Sequence, residues 1–133
     1  VYLLKPNLGE LAALAGKEEQ ISALEQEEIA KQVLGEGKCK VLVVSLGPRG
    51  AMLASDEGIS YIVPPTMPMQ SAVGAGDSMV AGMVLGLQRG YSLEDMARYG
   101  VAAGTAATMT PGTELCRKED TEEIYKWLME HQV

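Results

Sequence analysis

Three short stretches of this chain combine glycines with amide, hydroxyl or carboxylate groups at spacings that could do chemistry. The most telling is Gly74-Ala75-Gly76-Asp77-Ser78, which lies between an extended run ending at Val63-Pro64-Pro65 and an apolar, helix-like run over residues 79–87. A glycine-flanked turn at that place delivers backbone N–H groups to a helix start. The first N–H groups of a helix have no internal partner, and the helix dipole adds to their positive potential. An anion fits there without further help. A carboxylate is the odd member beside a bound phosphate. Asp77 therefore either caps the helix or accepts the proton of a hydroxyl that attacks a phosphoryl group, as in kinases generally.

The second stretch is Asn7 with Glu10, just after a short strand-like run. It reads as a plain helix cap, or equally as an amide and a carboxylate able to hold the water shell of Mg2+. That ion prefers few protein carboxylates, several waters and substrate phosphates. The third is Ser45 with Gly47 and Gly50, after the most apolar run in the chain. A turn explains these glycines, and so does a nucleotide passing over the backbone. Ligands of open α/β sheets bind beyond the C-terminal ends of strands, and all three stretches qualify.

Other chemistries find no support. No Gly-x-x-x-x-Gly-Lys-[Ser/Thr] run exists, and Met79 stands where a dinucleotide fingerprint starting at Gly74 needs its third glycine. There is no Ser/His/Asp set, since the one histidine, His131, falls in the last turn and is expected to face solvent.

The elements that must position these groups follow from pattern. Residues 1–4 read as a buried strand broken by Lys5-Pro6, with Asn7 capping the next helix and Glu10 in capping-box position. That helix carries Leu11, Ala12, Leu14 and Ala15, and Gly16 stops it. A second helix is expected over residues 21–34. Residues 41–46 form the strongest strand, apolar at nearly every position as a parallel strand covered on both faces would be. Residues 51–54 and 59–63 are shorter strands joined through Asp56-Glu57-Gly58. A helix is expected from Asp77 to about Gln88, and another through Met96, Tyr99 and Ala106, opened by a capping box of Ser92 and Asp95. Gly82 and Gly86, then Gly100 and Gly104, are each four apart on one helix face, which implies close approach to another helix or to a flat ligand. Thr110-Pro111-Gly112-Thr113 ends the second of these helices. Residues 120–130 complete the set, with Ile124, Trp127 and Leu128 facing inward. The expectation is one α/β domain over residues 1–133, with helices on a mostly parallel sheet whose margin carries antiparallel strands.

With 133 residues, 47% hydrophobic and 22% charged, the chain can build a core, though without phenylalanine. A net charge of -7 opposes non-specific nucleic-acid binding, yet it permits one nucleotide neutralised by magnesium. Cys39 and Cys116 lie far apart, with no His or Cys at ligand spacing, and read as ordinary thiols of a reducing cytoplasm. No signal peptide and no 18-residue apolar run are visible, so a cytoplasmic protein without membrane partners is expected. The start on Val1, with no Met, suggests that something precedes it.

Taken together, these motifs resemble the PfkB/ribokinase family of carbohydrate kinases. Gly74-Ala75-Gly76-Asp77-Ser78 resembles the family signature, and Asn7-Leu8-Gly9-Glu10 its Asn-x-x-Glu motif. The run 43–51 is similar to its nucleotide-binding loop, 101–108 to the helix along the adenine, and Pro111-Gly112-Thr113-Glu114 continues the match. The likeness is greatest to members that phosphorylate fructose 6-phosphate. The resemblance implies a three-layer ribokinase-like fold and phosphoryl transfer from ATP to a phosphorylated hexose. Asp77 would be the base, and the backbone N–H groups of the Gly74, Ala75, Gly76 and Asp77 turn would form the anion hole.

Asn7 and Glu10 would position Mg2+ largely through water, with Lys5 near the phosphate tail. Ser45, Gly47 and Gly50 would lie against the nucleotide, and Gly104 and Ala107 would line the adenine slot. A monovalent cation, K+, would be held by Ser71, Val73, Ala107 and Gly112, mostly through carbonyl oxygens. Glu114 departs from the members that the chain resembles most, which carry Arg there. The resemblance also implies that residues 1–133 are the C-terminal nucleotide-binding half, without the N-terminal sugar-binding half and the lid through which such kinases form homodimers. On that reading the chain alone is inactive and leaves an open sheet edge. Kinases for fructose 1-phosphate, tagatose 6-phosphate or a nucleoside, and a non-catalytic nucleotide-binding module, are the rival readings.

Overall fold

A computed structural model describes residues 2–16, 22–67, 74–109 and 118–131 of the chain. Strand β1 (Leu3–Leu4) is short because Pro6, with no N–H to give a ladder, follows almost at once. Asn7, in extended conformation, opens α1 (Leu8–Leu14), and Gly16 follows its end with φ +73°. Helix α2 (Ala23–Gly35) starts at a complete capping box of Ser22 and Glu25, slightly later than the sequence pattern implied. Strand β2 (Val41–Ser45), one 3-10 turn (Gly47–Arg49), β3 (Ala51–Ser55) and β4 (Gly58–Ile62) follow in close succession.

The strands form one sheet in the order β1-β2-β3-β4. Strands β1 and β2 are parallel, with Leu3 opposite Val41 and Leu4 opposite Leu42. Strands β2 and β3 are antiparallel, with Leu42 opposite Ala54 and Val44 opposite Met52. The two-residue turn Asp56-Glu57 makes β4 antiparallel to β3 as well, because so short a connection cannot join parallel neighbours. The expected mostly parallel sheet is therefore wrong: among the described residues the sheet is mixed and mostly antiparallel, and only β1–β2 is parallel. The apolar run of β2 reports burial on both faces, which an antiparallel strand can share, and carries no information about direction.

The chain divides into two compact units, Val1–Gly47 with Ala51–Tyr61, and Pro48–Gly50 with Ile62–Val133. In the first unit, Leu42 and Val44 of β2 and Met52 and Ala54 of β3 share one face. They pack with Leu11 of α1, with Ile29, Ala30 and Val33 of α2, and with Cys39. Each fully buried Leu, Ile or Met here contributes about 1.5–3 kcal/mol. Burial pushes the Cys39 thiol up, which disfavours thiolate chemistry. Cys116 lies outside the described residues.

The second unit is built on α3 (Ala75–Gln88), α4 (Leu93–Thr108) and α5 (Lys118–Glu130). The four-apart glycines serve close approach between α3 and α4. A Cβ on Gly82 would lie 2.8 Å from the Ala103 Cβ and 3.0 Å from the Tyr99 carbonyl oxygen; one on Gly86 would lie 3.1 Å from the Met96 Cα. On the facing helix a Gly100 Cβ would strike the Met83 side chain. Ser92 caps α4 by accepting from the Asp95 N–H at 3.2 Å. The Asp95 carboxylate turns instead to Arg98, at 2.8 Å, so the expected box is half formed. Helix α5 buries Thr121, Ile124 and Leu128, while Trp127 is only half-buried and stacks on His131, which is exposed as expected. No helix among the described residues is long and apolar enough to cross a membrane.

Candidate functional site

In the first unit, the parallel pairing of β1 and β2 brings two of the three candidate stretches together. Beyond Leu4 and Leu42 the register continues to a bridge between Asn7 and Ser45. The Ser45 N–H donates to the Pro6 carbonyl at 2.9 Å, and the Ser45 hydroxyl lies 3.5 Å from the same oxygen. Lys5, Asn7, Glu10, Ser45 and Gly47 thus gather at the C-terminal ends of the two parallel strands, where α/β sheets hold ligands. Sequence reasoning treats Pro6 only as a strand breaker and misses its role. Its ring supplies no donor, but its buried carbonyl ties the start of α1 to the end of β2.

The cap reading of Asn7 and Glu10 is realised in full. Glu10 N–H donates to Asn7 Oδ1 at 2.8 Å, and Asn7 N–H donates to Glu10 Oε1 at 3.0 Å. This box engages one oxygen of each side chain, leaving the Asn7 amide nitrogen and Glu10 Oε2 for other work. Both residues are exposed, and no group of three His, Cys, Asp or Glu side chains is placed to hold a metal among the described residues. One carboxylate and one amide suit an ion that keeps most of its water, as Mg2+ does. Asn7→Ala should lower stability by about 1 kcal/mol, whereas Asn7→Ser, which keeps a capping oxygen, should cost little. Urea unfolding of the two variants checks this.

Gly47 and Gly50 differ in what they meet. Gly47 has φ +63° and an exposed position where a Cβ would touch nothing, so the turn needs its conformation but the space beside it is open. Gly50, in the second unit, has φ +92°, and a Cβ there would run into the Ile62 carbonyl and lie 2.9 Å from Pro64 Cδ. Packing alone explains Gly50.

The third stretch opens α3. Gly74, at φ +81°, is the N-cap, with no side-chain bond capping the helix, and the first helical bond runs from Ser78 N–H to the Gly74 carbonyl at 2.9 Å. The N–H groups of Ala75, Gly76 and Asp77 therefore precede the first helical hydrogen bond. The helix begins two residues earlier than the sequence pattern implied, so Asp77 falls in the first turn, exposed, and not at the cap. Helix α4 meets this turn through Gly104, whose Cβ would lie 3.2 Å from the Ala75 carbonyl oxygen and 3.3 Å from the Met79 Cβ. Ala107, one turn further on, is buried. Ser71, Val73, Gly112 and Glu114 lie outside the described residues.

Comparison with known proteins bears on what these groups do. A profile described as pfkB family carbohydrate kinase matches residues 1–120. The chain is 47% identical over 128 residues to ATP-dependent 6-phosphofructokinase isozyme 2 of Escherichia coli, covering 96% of this chain and 41% of that protein. It is 32% identical over 124 residues to 1-phosphofructokinase of Borreliella burgdorferi, covering 92% and 39%. The crystal structure of phosphofructokinase-2 from Escherichia coli in complex with potassium matches with a TM-score of 0.92 at 46% identity, over 97% of this chain and 41% of that one. The chain spans about two fifths of the length of these curated relatives.

Proposed function

The chain belongs to the pfkB family of carbohydrate kinases, and on that premise we propose that residues 1–133 are the nucleotide-binding part of an ATP-dependent kinase. Its acceptor is a phosphorylated hexose, fructose 6-phosphate foremost. The observation that carries this reading is the start of α3: a left-handed glycine, no side-chain cap, and an exposed carboxylate in the first turn. The left-handed turn accounts for the glycine at position 74; the uncapped N–H groups beside an exposed carboxylate are what a phosphoryl-transfer site would use. The 47% identity to a 6-phosphofructokinase, against 32% to a 1-phosphofructokinase, favours the 6-phosphate acceptor over the 1-phosphate one.

In this proposal Asp77 accepts the proton of the attacking sugar hydroxyl, and the N–H groups of Ala75, Gly76 and Asp77 receive the charge that develops on the transferred phosphoryl oxygens. Asn7 and Glu10 hold the water shell of Mg2+, which neutralises the phosphate tail when bound, and Lys5 stands near that tail. Ser45 and Gly47 lie against the nucleotide, with Gly104 and Ala107 on its adenine side. A monovalent cation completes the proposal, held by Ser71, Val73, Ala107 and Gly112, mostly through carbonyl oxygens; the potassium complex of the Escherichia coli enzyme supports it. Homodimer formation would rest on segments beyond residues 1–133.

The test is transfer of the γ-phosphoryl group of Mg-ATP to fructose 6-phosphate, fructose 1-phosphate and tagatose 6-phosphate by the protein that contains this chain. Fastest turnover with fructose 6-phosphate is expected. Mg-ATP binding with no transfer to any sugar would instead make the protein a nucleotide-binding module.

A further inference from the structure

We infer that Gly104 is a positioning residue that sets the aim of the Gly76 N–H at the start of α3. The inference rests on the functional reading above and assigns a task within it. Gly104 presents its missing side chain directly at the Ala75 carbonyl oxygen, where a Cβ would stand at 3.2 Å, with the Met79 Cβ at 3.3 Å. Both distances are tighter than ordinary van der Waals contact, and the first partner is backbone, which cannot swivel aside. The Ala75 carbonyl and the Gly76 N–H belong to one planar peptide unit. Pushing the oxygen therefore tilts that N–H by the same rotation. The affected donor is one of those that precede the first helical hydrogen bond, and no side chain of position 74 steadies it.

The other α3–α4 glycines do not have this consequence. Gly86 is as closely packed, 3.1 Å from the Met96 Cα and 3.2 Å from Tyr91 Cδ2, but it lies near the C-terminal end of α3. A methyl group at position 86 therefore strains the same helix pair without touching the first turn. The two sites form a matched pair: equal crowding, opposite ends of one helix.

The protein containing this chain is assayed as wild type, Gly104→Ala and Gly86→Ala, with turnover, KM for ATP and thermal unfolding measured for each. Both substitutions should lower the melting temperature by comparable amounts. Only Gly104→Ala should lower kcat, by about tenfold for a displacement well under an ångström; any rise in KM for ATP, from its place on the adenine side, comes on top of that loss. An unchanged kcat in Gly104→Ala overturns the inference. So does a raised KM with unchanged kcat, which would leave Gly104 only its place on the adenine side, or an equal loss of kcat in both variants. A wild-type protein with no turnover fails earlier, on the functional reading itself. Should Gly104→Ala unfold at the assay temperature, all three proteins are assayed at a lower temperature with saturating Mg-ATP, and the same kcat comparison decides.

Discussion

Asp77→Asn should remove sugar-phosphate turnover, by a factor of about 10² to 10⁴, while Mg-ATP affinity stays the same or improves. The side chain is exposed in the first turn of α3 and lies three positions after the N-cap Gly74. Asparagine keeps its size and its hydrogen-bonding carbonyl but cannot accept the proton of a sugar hydroxyl. The lost negative charge at a helix start costs about 0.3–1 kcal/mol of stability, which leaves the fold intact. The same loss removes a repulsion from a bound phosphate, so binding has no reason to weaken. Kinetics with fructose 6-phosphate and calorimetric titration with Mg-ATP read the two effects separately. Retained turnover would remove Asp77 from the proton transfer. Lost Mg-ATP binding in a folded variant would make it a ligand instead of a base.

The parts of the molecule that the sequence discloses are those decided locally. The Asn7–Glu10 box is a contact three residues long, and it forms as the residue types require. The Gly74 turn needs one left-handed residue and supplies a glycine. The α3–α4 approach is legible because glycines four apart repeat on both helices, and two such faces can bring their backbones together where larger side chains would hold them apart. The Ser22–Glu25 box carries the same signature as the first, and it sets the start of α2 later than the apolar stripe alone suggests.

Sheet direction is misread for a different reason. Val41, Leu42, Val43 and Val44 are all buried, and burial on both faces looks alike whichever way the neighbour runs. The decisive information lies in the connections. The Gly47–Arg49 turn and the Asp56-Glu57 turn are too short for crossovers, and that outweighs any reading of the apolar run. Gly50 illustrates the same limit. The stretch that holds it suggests a ligand beside the backbone, but the group that crowds it is Ile62, distant along the sequence, and no local pattern announces such a contact.

Gly50 gives the largest expected loss of stability, and its size discriminates between two accounts of the residue. Alanine at position 50 would have to hold φ near +92°, a conformation that costs an L-residue about 1–2 kcal/mol. Its Cβ would also collide with the Ile62 carbonyl and crowd Pro64 Cδ at 2.9 Å, and overpacking of that kind adds about 1–3 kcal/mol. The neighbour is backbone at the end of β4, so relief requires that the strand itself shift. Gly47→Ala is the natural control, since its φ of +63° is strained for alanine but its surroundings are open. It should lose only the conformational part, about 1–2 kcal/mol. Urea unfolding of both variants should therefore place Gly50→Ala well below Gly47→Ala. Mg-ATP affinity in the protein containing this chain should order them the other way, with Gly47→Ala the weaker binder among folded molecules. Equal stabilities, with affinity lost at position 50, would return Gly50 to the nucleotide and show that the β4 backbone yields to a methyl group.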